Sequence, residues 1–141
     1  ELYLDALEPG DVLVTSYEIL VRDLDELAAC EFATLVLDEA QAVKNASTQR
    51  WRAASRLRAD WVLALTGTPI ENHAGDAFAL LSLLCPGILG SLETFRRRFQ
   101  NPIQAGDEHA TRALARRMRP FVLRRTKEAV LSDLPPRVEV V

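Results

Sequence analysis

A chain of 141 residues with 48% hydrophobic and 26% charged side chains holds enough apolar material for one modest domain with a real core, and reads as an ordinary globular protein. Its apolar stretches are broken by charge well short of a membrane span, residues 1–5 lack the basic n-region of a signal peptide, and Cys30 and Cys85 are too few for a disulfide or metal framework, leaving two buried thiols of a reducing cytosol. The net charge of −3 hides an asymmetry, −9 over residues 1–48 against +6 over residues 49–141, so the chain can offer a basic face to a polyanion, although arginines also simply coat helices.

In chain order, residues 11–15 form a short apolar run after the Pro9-Gly10 turn and predict a strand. Residues 17–29 place Ile19, Leu20, Leu24, Leu27 and Ala28 at helical spacing. Residues 32–37 are almost wholly apolar, as suits a parallel strand covered on both faces. Asn45 or Ser47 is positioned to cap a helix running to about Leu57. A third apolar strand, residues 61–65, stops at Thr66-Gly67-Thr68-Pro69. Strands alternating with helices in this way predict an α/β fold with a parallel sheet. The second half is helical: an apolar helix over 75–84 closed by Pro86-Gly87, then arginine-rich helices over 92–99 and 108–119, the latter broken by Pro120. Phe121-Val122-Leu123 and the basic Arg124-Arg125-Thr126-Lys127 follow, and Pro135-Pro136 ends regular structure. The missing initiator Met and the apolar-acidic-apolar end at Val141 suggest cut points inside a longer protein.

Two places carry chemistry. Asp38 and Glu39 directly follow the apolar run 34–37, at the strand end where open α/β sheets bind ligands. Two acids there can divide the work of phosphoryl transfer, one holding Mg²⁺ on a triphosphate through water and the other orienting the attacking water; a solvated loop start or a helix cap is the alternative use. Thr66, Gly67 and Thr68 follow the next strand in the same way, and suit contact with phosphates or with the neighbouring acids as well as a plain tight turn. Among the arginines, Arg112, Arg116 and Arg119 share helical spacing; phosphate binding and a solvated face with local ion pairs both fit them. Arg96, Arg97 and Arg98 cannot all face one way on a helix. Trp51 and Trp61 read as core rather than as a base-stacking platform.

Taken in order, Leu37-Asp38-Glu39-Ala40-Gln41, Val43-Lys44-Asn45 and Leu65-Thr66-Gly67-Thr68-Pro69-Ile70-Glu71-Asn72 resemble motifs II and III of the Swi/Snf-type ATPases of helicase superfamily two. Asp11-Val12-Leu13-Val14-Thr15-Ser16-Tyr17 is similar to that family's motif Ib. Phe95-Arg96-Arg97-Arg98-Phe99 and Pro120 to Lys127 are similar to its helical protrusion and the end of its first motor lobe, with Leu134-Pro135-Pro136 in the same ending. The resemblance implies part of a RecA-like, P-loop-NTPase lobe: residues 1–90 its C-terminal part with a parallel sheet and flanking helices, residues 91–141 a basic helical protrusion and the lobe's end. It implies that Asp38 coordinates Mg²⁺ through water, that Glu39 activates the hydrolytic water of ATP, and that Gln41, standing where many relatives have His, couples the nucleotide site to motif III by hydrogen bonds without titrating near neutral pH. Thr66, Gly67 and Thr68 would relay nucleotide state, while Thr15, Ser16 and Tyr17 would lie near the tracked DNA strand, with Arg124, Arg125 and Lys127 as further nucleic-acid contacts.

No Gly-x-x-x-x-Gly-Lys-Ser/Thr occurs, and none of the six glycines is followed by Lys. Without that loop there is no cradle of backbone N–H groups for the phosphates, so the expectation is a DNA-dependent ATPase or translocase whose ATP and Mg²⁺ both need residues outside these 141, with this piece inactive alone. A second RecA-like lobe of the same chain and duplex DNA are the implied partners, in a cytoplasmic setting that would be nucleoid-associated if the source is bacterial. In such lobes the motif III strand normally has neighbours on both sides. Residues 61–65 should therefore present an unpaired apolar edge, covered by self-association or by a rearranged terminus. An RNA helicase, a restriction-type translocase, and a non-catalytic binding module on a motor scaffold are the competing readings.

Overall fold

The computed structural model describes residues 4–67 and 74–125. A 3-10 turn, Leu4–Ala6, leads through an extended connection to α1 (Tyr17–Arg22) and α2 (Leu24–Ala29). The single helix expected over 17–29 bends at Asp23, whose φ of −106° and ψ of 30° leave the helical region. Backbone bonds still cross the bend, from the Asp23 N–H to the Ile19 carbonyl at 2.8 Å and from the Leu27 N–H to the Asp23 carbonyl at 3.1 Å. The Arg22 guanidinium grips the Asp23 carboxylate with two bonds of 2.6 Å, and that charge-assisted bond holds the Asp23 carboxyl below its ordinary pKa. The bend lets Leu20 and Leu27, on either side of it, both enter the core.

The strands β1 (Glu31–Leu37) and β2 (Arg58–Ala64) pair in parallel, Glu31 opposite Arg58 and Leu37 opposite Ala64. A parallel pair needs a crossover, here a 3-10 turn, Ala40–Val43, and α3 (Gln49–Ala54). The α3 cap is neither Asn45 nor Ser47. Asn45 Oδ1 is occupied by the Ser47 N–H and hydroxyl at 2.9 and 2.8 Å, a local turn that delivers Thr48 to the cap position, where its Oγ1 accepts from the Trp51 N–H at 3.2 Å.

Four sequence expectations change here. Residues 11–15 belong to no sheet among the described residues: Val12 and Val14 are 84% and 86% exposed. An extended segment becomes a strand only when a neighbour takes its backbone bonds, and an apolar groove of about 650 Å³, walled by residues 10–17 and by β1, lies where that neighbour would be. Among the described residues the sheet is covered on one face, not two. Leu35, Leu37, Val62 and Ala64 join the core, while Val36 and Leu63 stand half exposed on the other side. Trp61 is on that open face at 76% exposure rather than in the core; only Trp51 packs, its indole N–H donating to the Ala79 carbonyl at 2.9 Å. The thiols of Cys30 and Cys85 are half-buried rather than buried.

The apolar α4 (Ala74–Leu84) is the wall shared by two cores. Leu80 and Leu83 pack with Leu20, Leu27, Leu37 and Val43; Leu81, with Phe78 and Leu84 beside it, packs with Leu89, Phe95, Phe99 and Leu114. After Gly87, which turns the chain at a φ of +86°, Ser91 caps α5 (Leu92–Phe95) by accepting from the Thr94 N–H. The helix expected over 92–99 continues as a π segment, Arg96–Gln100, into α6 (Asn101–Gln104). Pro102 supplies the reason: an α-helical register would drive its ring against the Arg98 carbonyl, and widening the preceding turn, with the Asn101 N–H donating to the Arg96 carbonyl, relieves that clash. Asp107 caps α7 (Glu108–Met118) by accepting from the His109 and Ala110 N–H groups at 2.7 and 3.1 Å. Among the described residues no helix is long and apolar enough to cross a membrane.

Candidate functional site

The site is built on the carboxyl ends of β1 and β2. Beyond the last paired residues, the Leu65 N–H donates to the Leu37 carbonyl and the Ala40 N–H donates to the Leu65 carbonyl, both at 2.9 Å. These two bonds clamp the turn carrying Asp38 and Glu39 against the turn carrying Thr66 and Gly67. Between the clamps Glu39 adopts φ 47° and ψ 49°, the only non-glycine with positive φ among the described residues. An L-residue held there costs about 1–2 kcal/mol, so the surrounding bonds over-determine the turn. The reward is geometric: the chain reverses sharply enough to expose both carboxylates while Leu37, Ala40 and Val43 on either side stay buried.

Hydrogen bonds then join the polar groups in series. Asp38 Oδ1 accepts from the Glu39 N–H at 2.9 Å. Glu39 Oε2 accepts from Gln41 Nε2 at 2.6 Å, and Gln41 Oε1 accepts from the Thr66 hydroxyl at 2.8 Å. A carboxylate only accepts, so the Gln41 amide must turn its nitrogen to Glu39, which leaves its oxygen for Thr66. The residues singled out as Asp38, Glu39, Gln41 and Thr66 are thus one bonded cluster. Gly67 lies in the same turn and lines, with Asp38, Glu39 and Thr66, a cleft of about 380 Å³ whose far wall is Phe121, Val122 and Leu123. Thr68 and Lys127 lie outside the described residues.

Lys44, one turn on from the acids, forms a 3.3 Å ion pair with Asp76 in the first turn of α4. Asp76 carries no motif signature, and composition alone could not single it out. A second unforeseen link runs the other way. Tyr17, the first residue of α1, donates its hydroxyl to the Asp38 carbonyl at 2.8 Å, 21 residues along the chain. Its ring is half-buried against the first core, and that burial, followed by the nearby Asp38 charge, pushes the phenol pKa above its ordinary value. Thr15 is exposed at the mouth of the groove beside it, and Ser16 caps α1 by accepting from the Ile19 N–H at 3.3 Å. Asp38 lines both groove and cleft, so the residues 15–17 and the segment leading to Arg124 and Arg125 approach the acids from different sides.

The charge asymmetry is partly neutralised by ion pairs on the surface of the fold. Glu18, Asp25 and Glu31 of the acidic half meet Arg50, Arg56 and Arg58 at 2.6, 2.9 and 4.0 Å. In the helical arm Arg112 pairs with Glu108, whereas Arg98 and Arg117 both lie 5.9 Å from the centre of the Phe99 ring. Arg96, Arg97 and Arg98 are all exposed.

For a divalent cation the described residues offer no cluster of three or more His, Cys, Asp or Glu groups. Asp38 contributes an exposed hard-oxygen donor with one oxygen held by the Glu39 amide. That set fits Mg²⁺, which keeps most of its waters and takes further ligands from substrate phosphates rather than from a protein cage.

Residues 4–141 match the family model of the SNF2-related domain. Among curated proteins, the TATA-binding protein-associated factor mot1 of Schizosaccharomyces pombe is 39% identical over 94% of this chain and 7% of its own length. The putative ATP-dependent helicase/translocase YwqA of Bacillus subtilis is 40% identical over 94% of this chain and 15% of its own length. The Sulfolobus solfataricus SWI2/SNF2 ATPase core, solved in complex with dsDNA, superposes with a TM-score of 0.78 at 42% identity, over 84% of this chain and 26% of that one. The chain therefore spans a small part of the length of the relatives it matches.

Proposed function

Because the chain belongs to the family of SNF2-related domains, we propose that it is the part of a first motor lobe that carries one half of an ATP site, within a parent protein that couples ATP hydrolysis to movement on duplex DNA or to remodelling of protein–DNA complexes. The observation that carries this reading is the bridge Thr66–Gln41–Glu39, which ties the acidic turn to the turn after the neighbouring strand. Asp38 would hold the Mg²⁺, which would supply neutralisation of the phosphate charge that develops during transfer. Glu39 orients and accepts a proton from the attacking water. Gln41 holds the Glu39 carboxylate and passes its position to Thr66, Gly67 and Thr68. Thr15 and Ser16, with Tyr17 behind them, approach the DNA strand, and Arg124, Arg125 and Lys127 add phosphate contacts. A second RecA-like lobe, supplied by the same parent, closes on the nucleotide, and in a bacterial source the parent would be nucleoid-associated.

The 141 residues contain no glycine-rich phosphate loop, so they hydrolyse no ATP unaided. Incubated with duplex DNA and Mg²⁺, this chain should give background phosphate release. The complete ATPase should be stimulated by duplex DNA over RNA, with Glu39→Gln lowering kcat by about 10²–10⁴-fold, the usual loss on removing a general base. Clear turnover by the 141 residues alone, abolished by Glu39→Gln, would overturn this account.

A further inference from the structure

We propose that Tyr17 is a positioning residue: its hydroxyl fixes the peptide joining Asp38 to Glu39 and so connects the turn at residues 15–17 to the acidic pair. This rests on the functional reading above and adds to it a mechanical link from the DNA side.

The Asp38 carbonyl sits where the chain enters the left-handed residue Glu39. That conformation turns the carbonyl out of the 3-10 turn that follows, and no backbone N–H among the described residues donates to it. Tyr17 is its partner, at 2.8 Å. The same peptide's N–H is bonded to Asp38 Oδ1 at 2.9 Å. Rotation of this one peptide therefore moves both carboxylates together. A tyrosine is well suited to hold it, because a rigid ring half-buried in the core sets the height of the hydroxyl without relying on a flexible side chain.

From Tyr17 the bonded path runs without a gap to the acidic turn and, through Glu39 and Gln41, to Thr66. At its other end Tyr17 is the first residue of α1, directly after Thr15 and the capping Ser16. A phosphate backbone drawing on Thr15 and Ser16 shifts the start of α1, and with it the hydroxyl that holds the acidic turn. Every distance along the path is a direct bond, so the coupling needs no larger rearrangement.

The experiment uses Tyr17→Phe, which keeps the ring and removes the hydroxyl. In the 141-residue chain, amide hydrogen exchange at Glu39 and Ala40 should quicken about fivefold, the scale of one lost hydrogen bond, while the amides of α7 exchange as before. In the complete ATPase, kcat at saturating duplex DNA should fall about tenfold, a change of roughly 1.4 kcal/mol in the barrier. The Kd for DNA and the KM for ATP should stay within about twofold of the parent. A uniform rise in exchange, or none at Glu39 and Ala40, overturns the positioning role whether or not the complete protein hydrolyses ATP. A weaker DNA Kd with full kcat at saturation identifies Tyr17 as a DNA contact instead and overturns the proposal too. Absence of DNA-stimulated hydrolysis in the unaltered complete protein counts against the functional reading, and the exchange arm still decides the role of Tyr17.

Discussion

At the scale of single residues, the site depends on one unfavourable backbone choice. Glu39 occupies a conformation that favours glycine, yet the proposed chemistry needs a carboxylate there. At an ordinary helix or strand position Ala is more stable than Gly by about 0.5–1 kcal/mol. Here the order should invert, with Glu39→Gly more stable than Glu39→Ala by about 1 kcal/mol in urea unfolding of this chain. The usual order, Ala above Gly, would show that the turn is not strained. Asp38, Glu39, Gln41 and Thr66 could be singled out in the sequence because they fall, in order, directly after two apolar strand-like runs and resemble two motifs of one family. The hydroxyl of Tyr17 and the pair Lys44–Asp76 were not, because a bond between residues 21 or 32 positions apart depends on how α1 and α4 pack, and no local spacing records it.

At the scale of elements, periodicity found the helices and missed how they end. The cap at Thr48 in place of Asn45 or Ser47 follows from a local turn that uses the Asn45 side chain first. The bend at Asp23 and the π segment at Arg96–Gln100 each leave the apolar spacing nearly unchanged, so hydrophobic pattern alone cannot distinguish them from a straight helix. The arm formed by α5, α6 and α7 is held on α4 chiefly by Phe95, which is fully buried between Phe78 and Phe99 with ring centres at 4.7 and 5.7 Å. Phe95→Ala should cost about 3–5 kcal/mol, read as a lower midpoint in chemical unfolding. Loss of under 1 kcal/mol would mean that the arm is held elsewhere.

At the scale of the whole molecule, the sheet, two-stranded among the described residues, leaves apolar surface that none of them covers. Val36, Trp61, Leu63 and Leu65 are 51%, 76%, 52% and 47% exposed, and among the described residues β2 is paired on one edge only. A contiguous exposed patch beside an open strand edge favours association. The chain should therefore run as a dimer or larger species in light scattering at micromolar concentration, and Trp61→Lys should return it to a monomer. A monomeric parent chain with Trp61 still in water would refute the association.

The sequence by itself determined the α/β class of fold and singled out the acidic and hydroxyl groups as candidates. Those properties rest on local periodicity and on which side chains can do phosphate chemistry. Only the tertiary structure decided that residues 11–15 join no sheet among the described residues, that Trp61 faces outward while Trp51 packs, and that Tyr17 reaches the Asp38 carbonyl. Each of these depends on whether a partner surface is present. A strand, a buried face or a long-range hydrogen bond is a property of two segments at once, and the pattern of one segment specifies only half of it.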